Sequence, residues 1–549
     1  MHLDTYMLEL DKWKNPTLIA EGDIAAFSRG VTDDNGYGYT LAASADGASA
    51  IARTVDERTV RLEITPNKDE YTIWIACPSK INTADGDTLK KAKKVLLEAS
   101  SDGYERRLEA SKSYWHEFWS KSFVQFAAEN GEDDYQENAY YLSNYLIGSS
   151  MRATNPSHFM NSVYRWNGDT NIRWNGGYWH HNERDIYFPW LETNRVELTD
   201  GYFDFYSNPD VMKKMIEATK SYYGADTQGL RVPETISYDG GDRHTMSSQY
   251  IINMESTGLE ISNYMYLRYK FTDDREFMEN TAYPFVKETV EFFLSRLERH
   301  GNHWNIPSAN CRETYWNVKN PMTDLAGIRA VFPQAIEMAE VLGTDEELCQ
   351  QMREVLENLA PFKTVSYGEN GGFRYMPYDT ENPGGTHNME NPELEIVYPF
   401  NIVGLGSTEE EIQGAINTWN TRRFAKNVVN IWSPDAIQAA RLGMGDEAYS
   451  FLQTMQSRNQ VYANGISDDG NGKYESMGIH MATIHESMLQ SYDGEIRVFP
   501  AMPTDKDFVG KFTLLAYGNF LVSSEFENQS VKYIGLKSLS GNTARIVNP

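Results

Sequence analysis

Cysteine is scarce. Cys77, Cys311 and Cys349 are the only three in 549 residues and form no CxxC pair, which excludes a zinc knuckle or a disulfide framework. Positive charge is in deficit: 50 Lys and Arg against 78 Asp and Glu leave a net charge of −28. A chain without a basic footprint is a poor nucleic-acid partner, and its field would repel anionic membranes and strongly acidic polysaccharides. No run approaches ~18 apolar residues, so no membrane span is expected. Met1-His-Leu-Asp4 has neither a basic n-region nor an apolar h-region, so no signal peptide is legible. An odd cysteine count suits a reducing compartment, but a low-cysteine exported protein looks the same, and localisation stays open. GxGxxG before a helix, GxxxxGKS/T, HExxH and GxSxG are all missing, which removes most of the case for dinucleotide, nucleotide, zincin or esterase chemistry. Aromatic residues are abundant: 34 Tyr, 24 Phe and 12 Trp make 13% of the chain. At ~150 residues per domain, this describes a large enzyme or binder of something neutral, with two to four domains.

Residues 1–86 carry β signals. Tyr37-Gly-Tyr-Thr-Leu-Ala-Ala, Thr59-Val-Arg-Leu-Glu-Ile and Tyr71-Thr-Ile-Trp-Ile-Ala-Cys lie between Asp/Asn/Gly clusters, the pattern of an antiparallel sandwich, though a short one. From Asp87 the period becomes helical, giving a linker over 87–130 that contains Trp115-His-Glu-Phe-Trp119. Over 131–494 the periodic segments predict helices at 135–152, 169–182, 187–195, 209–220, 248–270, 274–300, 323–343, 345–359, 393–404, 408–420, 430–443, 445–457 and 478–491. The long loops between them (221–246, 302–322, 364–392, 458–477) have the length of functional loops. Residues 495–549 return to β character. A dozen helices can close as two concentric rings of six. The expected fold is therefore mainly α with β: an (α/α)6 barrel after a β-sandwich and helical linker, followed by a C-terminal β region.

Four clusters could carry chemistry. Trp166 to His181 contains Asn171, Arg173, Trp174, Asn175, Tyr178, Trp179 and His180; aromatic rings, amides and a guanidinium suit a sugar, whose apolar face stacks and whose hydroxyls hydrogen-bond. His180 and His181 make a poor metal pair, because adjacent residues point to different helix faces. The second cluster runs from Trp304 to Trp316 around Arg312-Glu313, with Asp324 opening the next helix. A general acid needs a raised pKa, so Glu313 can serve only if Arg312 points elsewhere; Asp324 equally suits a helix N-terminal charge. The third cluster holds Glu390, Glu393 and Glu395, and the fourth runs from Asp468-Asp-Gly-Asn-Gly to Glu475, ahead of a helix with His480, His485 and Glu486. Glu475 there suits the base of an inverting pair.

These clusters occur in an order that resembles glycoside hydrolase family 95. Lys91–Phe123 looks like the linker into that family's catalytic barrel. Asn171-x-x-x-Asn175-x-x-Tyr178-Trp179 is similar to its Asn-x-Asn-x-x-x-Asn-Tyr-Trp segment, and Pro307-Ser308 through Glu313 to its Pro-Ser-x-Ser-Pro-Glu loop. Ile431-Trp432-Ser433 through Ala440-Arg441-Leu442-Gly443 resembles its Gly-Trp-Ser…Ala-Arg-Leu-Gly helix. Glu486-Ser-Met-Leu-Gln-Ser491 through Phe499-Pro-Ala-Met-Pro503 resembles its closing block. The resemblance spans roughly residues 85–515 as spaced blocks. It implies an inverting exo-acting α-L-fucosidase or α-L-galactosidase without a cofactor, acting on a neutral oligo- or polysaccharide. Glu313 would be the acid and Glu475 the base, with Asp324 at the Asp that follows the acid loop in the family. Asn171, Arg173, Trp174, Asn175, Trp179, His180, Glu393, Trp432 and His485 would shape the sugar site. Three departures stand out: Glu475 in place of an Asp, Arg173 in place of a water-orienting Asn, and Asn391-Pro-Glu-Leu-Glu-Ile in place of a His-rich segment. They suggest a different sugar in the −1 subsite. The alternatives are another glycosidase or a phosphorylase on the same barrel, or an inactive carbohydrate-binding protein.

Overall fold

The computed structural model describes residues 15–30, 38–80, 87–128, 134–152, 154–159, 177–241, 248–368, 371–381, 384–422, 432–459, 474–504 and 508–547. The chain divides into two compact units, with the boundary between Ser120 and Lys121.

In the first unit, strands Thr17–Glu21, Ile24–Gly30, Gly38–Asp46 and Thr72–Ala76 form an antiparallel sheet in that order, and Ser79–Lys80 also pairs with Gly38–Asp46. Ala48–Thr54 and Val60–Pro66 make a separate two-stranded ribbon. Ile19, Ala26, Ala42 and Ala76 pack with Ala92 and Leu96 of the helix Thr88–Asp102. Four alanines at this contact let the helix lie close to the sheet. Asp87 caps that helix, accepting from the backbone of Leu89 and Lys90, as a short acidic side chain does at an N-cap. The helix Tyr104–Ser120 follows.

The linker expected over 87–130 ends earlier than the sequence suggested. Phe123–Ala128 is a strand, alternating exposed Phe123 with buried Val124 and Phe126, the two-residue period of a half-buried sheet. It completes a four-stranded antiparallel sheet in the second unit, ordered Ser530–Ser538, Phe520–Glu527, Phe508–Ala516, Phe123–Ala128.

The rest of the second unit is chiefly helical. Met322–Leu342 packs against Thr257–Thr272, Tyr283–Arg296 and Glu346–Asn358. Glu475–Met488 is buried along its whole length and meets Asp134–Ser150, His180–Tyr187, Asp435–Arg441 and Gly445–Asn459. A helix without an exposed face belongs in the middle of a core. Two expected helices are absent: 187–195 and 393–404 consist of turns and short 3-10 segments. Pro189, Pro392 and Pro399 fall within or beside them, and each removes a backbone donor. In the stretch 169–182, Gly177–Trp179 is a strand paired with Thr235–Ser237, and the helix starts only at His180. Among the described residues no helix is long and apolar enough to cross a membrane.

Candidate active site

Glu313 sits at the tip of a hairpin. Strands Ala309–Cys311 and Tyr315–Val318 are joined by Arg312-Glu313-Thr314, with Arg312 in the left-handed region at φ 53°. This sharp turn sends neighbouring side chains apart. Arg312 is fully buried and pairs with Glu260 and with both carboxylate oxygens of Glu395. Arg184 joins the same cluster, 2.7 Å from Glu260 and 3.3 Å from Glu395, so two cations balance two anions. Burial alone would raise Glu260, but the two guanidiniums hold it well below the usual carboxylate value. Arg312 is thus committed away from Glu313, which is what the acid reading requires.

Glu313 is half-buried and accepts from Asn388 Nδ2 at 2.7 Å. Withdrawal from water, then the charges of Glu390 and Glu234, push its pKa well above the ordinary value, against the smaller effect of Asn388. Glu390 goes the other way. Burial opposes its charge, but hydrogen bonds from His181 and Thr314 hold it below the usual value. His181 Nε2 lies 3.0 Å from Glu390 Oε1. Burial keeps His181 neutral, with a pKa lowered to about 4, and an ionised carboxylate only accepts, so Nε2 carries the ring proton. Glu234 is also buried and raised to about 7 by desolvation; its Oε1 takes the His181 backbone N–H at 3.1 Å.

The helix His180–Tyr187 organises these contacts. Its first residues spread their side chains: His180 meets the Tyr202 hydroxyl at 2.9 Å and faces Glu260, His181 meets Glu390, and Asn182 Nδ2 donates to Glu475 Oε1. The two histidines therefore take different partners, as adjacent positions on a helix demand. Glu475 is fully buried in the first turn of Glu475–Met488. Close approach of the two helices needs Gly478, where a Cβ would stand 2.1 Å from the Asp185 carbonyl oxygen. Asp185 and Glu183 are buried acids whose oxygens meet no hydrogen-bond partner among the described residues. Desolvation first, with Glu475 acting on Asp185 and Glu234 on Glu183, raises both well above their ordinary values, because burial without a hydrogen-bond partner disfavours the charged form.

An aromatic rim adjoins Glu313. Trp316 Nε1 donates to the Glu313 carbonyl at 2.8 Å; its ring stacks on His387 at 3.5 Å with 8° between planes and meets Tyr250 edge-on at 4.9 Å.

The other expected site residues divide. Trp179 is buried and pairs across the strands with Thr235, next to Glu234. Glu393 is buried and raised to about 7, chiefly by desolvation and then by Asp435. Trp432 is half-buried beside the start of Asp435–Arg441. Asp324 is fully buried in the first turn of Met322–Leu342; burial and then Glu255 raise it well above its usual value, and Thr323 donates to it at 2.9 Å. The charged groups that act on it are Glu255, Arg312 and Arg296. His485 lies ten residues beyond Glu475, roughly 15 Å along a helix at 1.5 Å per residue. It is a core histidine, 2.8 Å from the Tyr140 hydroxyl and held neutral by burial, so it is not gathered with Glu475. Asn171, Arg173, Trp174 and Asn175 lie outside the described residues. Sequence reasoning passed over Asn182 and Glu234, and gave Glu390 and His181 no partner, because each partner is more than 50 residues away in the chain. Among the described residues no group of three or more His, Cys, Asp or Glu side chains is arranged to hold a metal ion.

A hairpin-borne acid with a raised pKa, an aromatic rim beside it and a second buried carboxylate at the start of another helix are groups of the kind that carbohydrate hydrolysis uses. Residues 94–477 match the glycosyl hydrolase family 95 catalytic domain, and the chain belongs to that family. It is 21% identical over 387 residues to a kojibiose hydrolase of Mucilaginibacter mallensis, covering 68% of this chain and 51% of that protein. It is 22% identical over 435 residues to alpha-L-fucosidase 2 of Arabidopsis thaliana, covering 75% and 50%. The chain spans about half the length of these curated relatives. Among solved structures it resembles a putative kojibiose phosphorylase from the human microbiome, with a TM-score of 0.70 at 13% identity over 97% of this chain and 76% of that one. This likeness concerns the fold.

Proposed function

We propose that the chain is an inverting exo-glycosidase that releases a terminal sugar, of the α-L-fucose or α-L-galactose type, from a neutral oligo- or polysaccharide on an (α/α)6 barrel. Glu313 gives its proton to the glycosidic oxygen as the bond to the anomeric carbon breaks. Glu475 takes a proton from the water that attacks the opposite face of that carbon. The observation that carries the reading is the hairpin turn at Arg312-Glu313: the cation is buried in ion pairs with Glu260 and Glu395, and the acid is left among carboxylates that favour its protonated form. The pairing with Glu475 is supported by one helix, His180–Tyr187, whose Asn182 holds Glu475 and whose neighbouring His181 holds the carboxylate beside Glu313. Trp316 and Tyr250 would form the sugar-stacking rim. Trp179, His180, Glu393 and Trp432, with Asn171, Arg173, Trp174 and Asn175, would complete the sugar site.

A second reading keeps the barrel and changes the sugar to an α-glucoside of the kojibiose kind, which the name of the Mucilaginibacter relative suggests. Phosphorolysis of such a disaccharide fits less well, because the buried Glu475 carboxyl, taken as the base, would occupy the place that a phosphate anion has to enter. Hydrolysis assays on α-L-fucosides, α-L-galactosides and kojibiose, with and without phosphate, test these readings. Turnover of a fucoside or galactoside independent of phosphate supports the first. Kojibiose cleavage without phosphate supports the second, and strict phosphate dependence overturns the base assignment.

A further inference from the structure

Glu313 and Thr314 leave the hairpin turn at adjacent positions, and each meets one residue of the same facing loop. Asn388 Nδ2 donates to Glu313 Oε2, and the Thr314 hydroxyl donates to Glu390 Oε2. This two-rung pairing ties Glu313 and Glu390 to the same two segments, and the charge of Glu390 acts on Glu313. The other oxygen of Glu390 takes Nε2–H of His181 at 3.0 Å, and the Glu390 residue is only 4% exposed. Two interacting carboxyls withdrawn from bulk water do not both ionise easily, and the charge settles on the one with the better donors. Glu390 has a hydroxyl and an imidazole N–H, whereas Glu313 has one amide. The other titratable groups around them are committed elsewhere. Glu234 faces Glu313 but takes the Thr235 hydroxyl and the His181 backbone N–H, and Arg312 is bound to Glu260 and Glu395. His181 is buried and neutral, and among the described residues no Lys or Arg pairs with Glu390.

Resting on the role proposed for Glu313, the geometry points to Glu390 as a positioning residue, a fixed anion clamped by His181 and Thr314 that keeps the acid proton on Glu313 between turnovers. Neither Glu390 nor His181 needs to touch the sugar for this.

The test is a pH titration of the folded full chain by infrared difference spectroscopy, in which wild type minus Glu313→Gln isolates the carbonyl stretch of the protonated Glu313 side chain. In wild type that band persists at neutral pH. In Glu390→Gln, itself differenced against the double variant with Glu313→Gln, its midpoint moves down by about one pH unit or more, and Glu390→Asp restores part of the shift. Thr314→Val, which removes one donor without adding a buried polar group, moves the midpoint the same way by less, and it carries the test if Glu390→Gln does not fold. An unchanged midpoint in folded Glu390→Gln and Thr314→Val overturns the proposal. Because the readout uses no turnover, it is separable from the acid assignment: full hydrolytic activity in Glu313→Gln would refute that role whatever the titration shows.

Discussion

Asn182 donates its side-chain amide to Glu475, bridging the first turns of two buried helices that are almost 300 residues apart in the chain. His181, one residue earlier, reaches Glu390. A single helical turn thus fixes one carboxylate on each side. Removing Glu475 as Glu475→Gln is expected to lower kcat about 10²–10⁴-fold, the usual weight of a general base, while a nonreactive substrate analogue still binds. Asn182→Leu, which leaves the base in place without the Asn182 amide, is expected to lower kcat about tenfold with little change in KM. Steady-state kinetics on the substrate found by the hydrolysis assays check both. A rise in KM alone would place Asn182 in ground-state binding instead.

Trp316 holds its ring between His387 and Tyr250 at the rim of the site. Trp316→Ala is expected to raise KM about tenfold or more with kcat nearly unchanged, the pattern of uniform binding lost equally from ground and transition states. Kinetics with the hydrolysed substrate, beside isothermal titration with the released sugar, check this. An unaffected KM would remove the rim from the sugar path.

Arg312 has no solvent exposure and balances Glu260 and Glu395 together with Arg184. Arg312→Met leaves an excess of buried negative charge, and breaking a buried pair in this way costs about 3–5 kcal/mol. Urea unfolding should show a loss of that order, whereas a loss under 1 kcal/mol would show the ion pairs to be dispensable.

Glu192 carries a pH signature in stability. Burial and then the Glu486 carboxylate raise it to about 8 from an ordinary 4.5; it lines a cavity with Arg441, Glu486 and Tyr264. A carboxyl raised in the folded state contributes stability fully below 4.5 and loses it as pH rises to about 8. Glu192→Gln does not titrate, so the variant should gain on wild type across that window and hold a constant lead above it. One pKa unit corresponds to about 1.4 kcal/mol. Unfolding midpoints at pH 4.5, 6.5 and 8.5 check the slope, and a gap that does not change with pH contradicts it.

Much of the helical unit was legible because its periods are strong. The expected helix 323–343 is Met322–Leu342, and 445–457 lies within Gly445–Asn459. Two of the expectations that failed, the helices 187–195 and 393–404, lie at prolines: Pro189, Pro392 and Pro399 sit among apolar residues whose spacing imitates a helix while the backbone cannot supply one. Phe123–Ala128 was missed because six alternating residues beside a helical run are too short a signal, and their partner strand, Phe508–Ala516, begins 380 residues later. At the proposed site, the sequence singled out Glu313 from its loop and Glu475 from its place just ahead of a helix as candidates. It could not reveal how each is held, because Glu390, His181, Glu234 and Asn182 are ordinary helix or loop residues until the fold joins them. The direction of Arg312 was the condition on which Glu313 depended. Only the left-handed turn that buries it answers that condition.

The most direct test of the account is hydrolysis by wild type and by Glu313→Gln side by side, with the anomer of the released sugar followed by NMR from the first minutes. The account predicts that the inverted anomer forms first in wild type and that turnover falls at least 10²-fold in the variant. A retained anomer, or activity in Glu313→Gln equal to wild type, would contradict it.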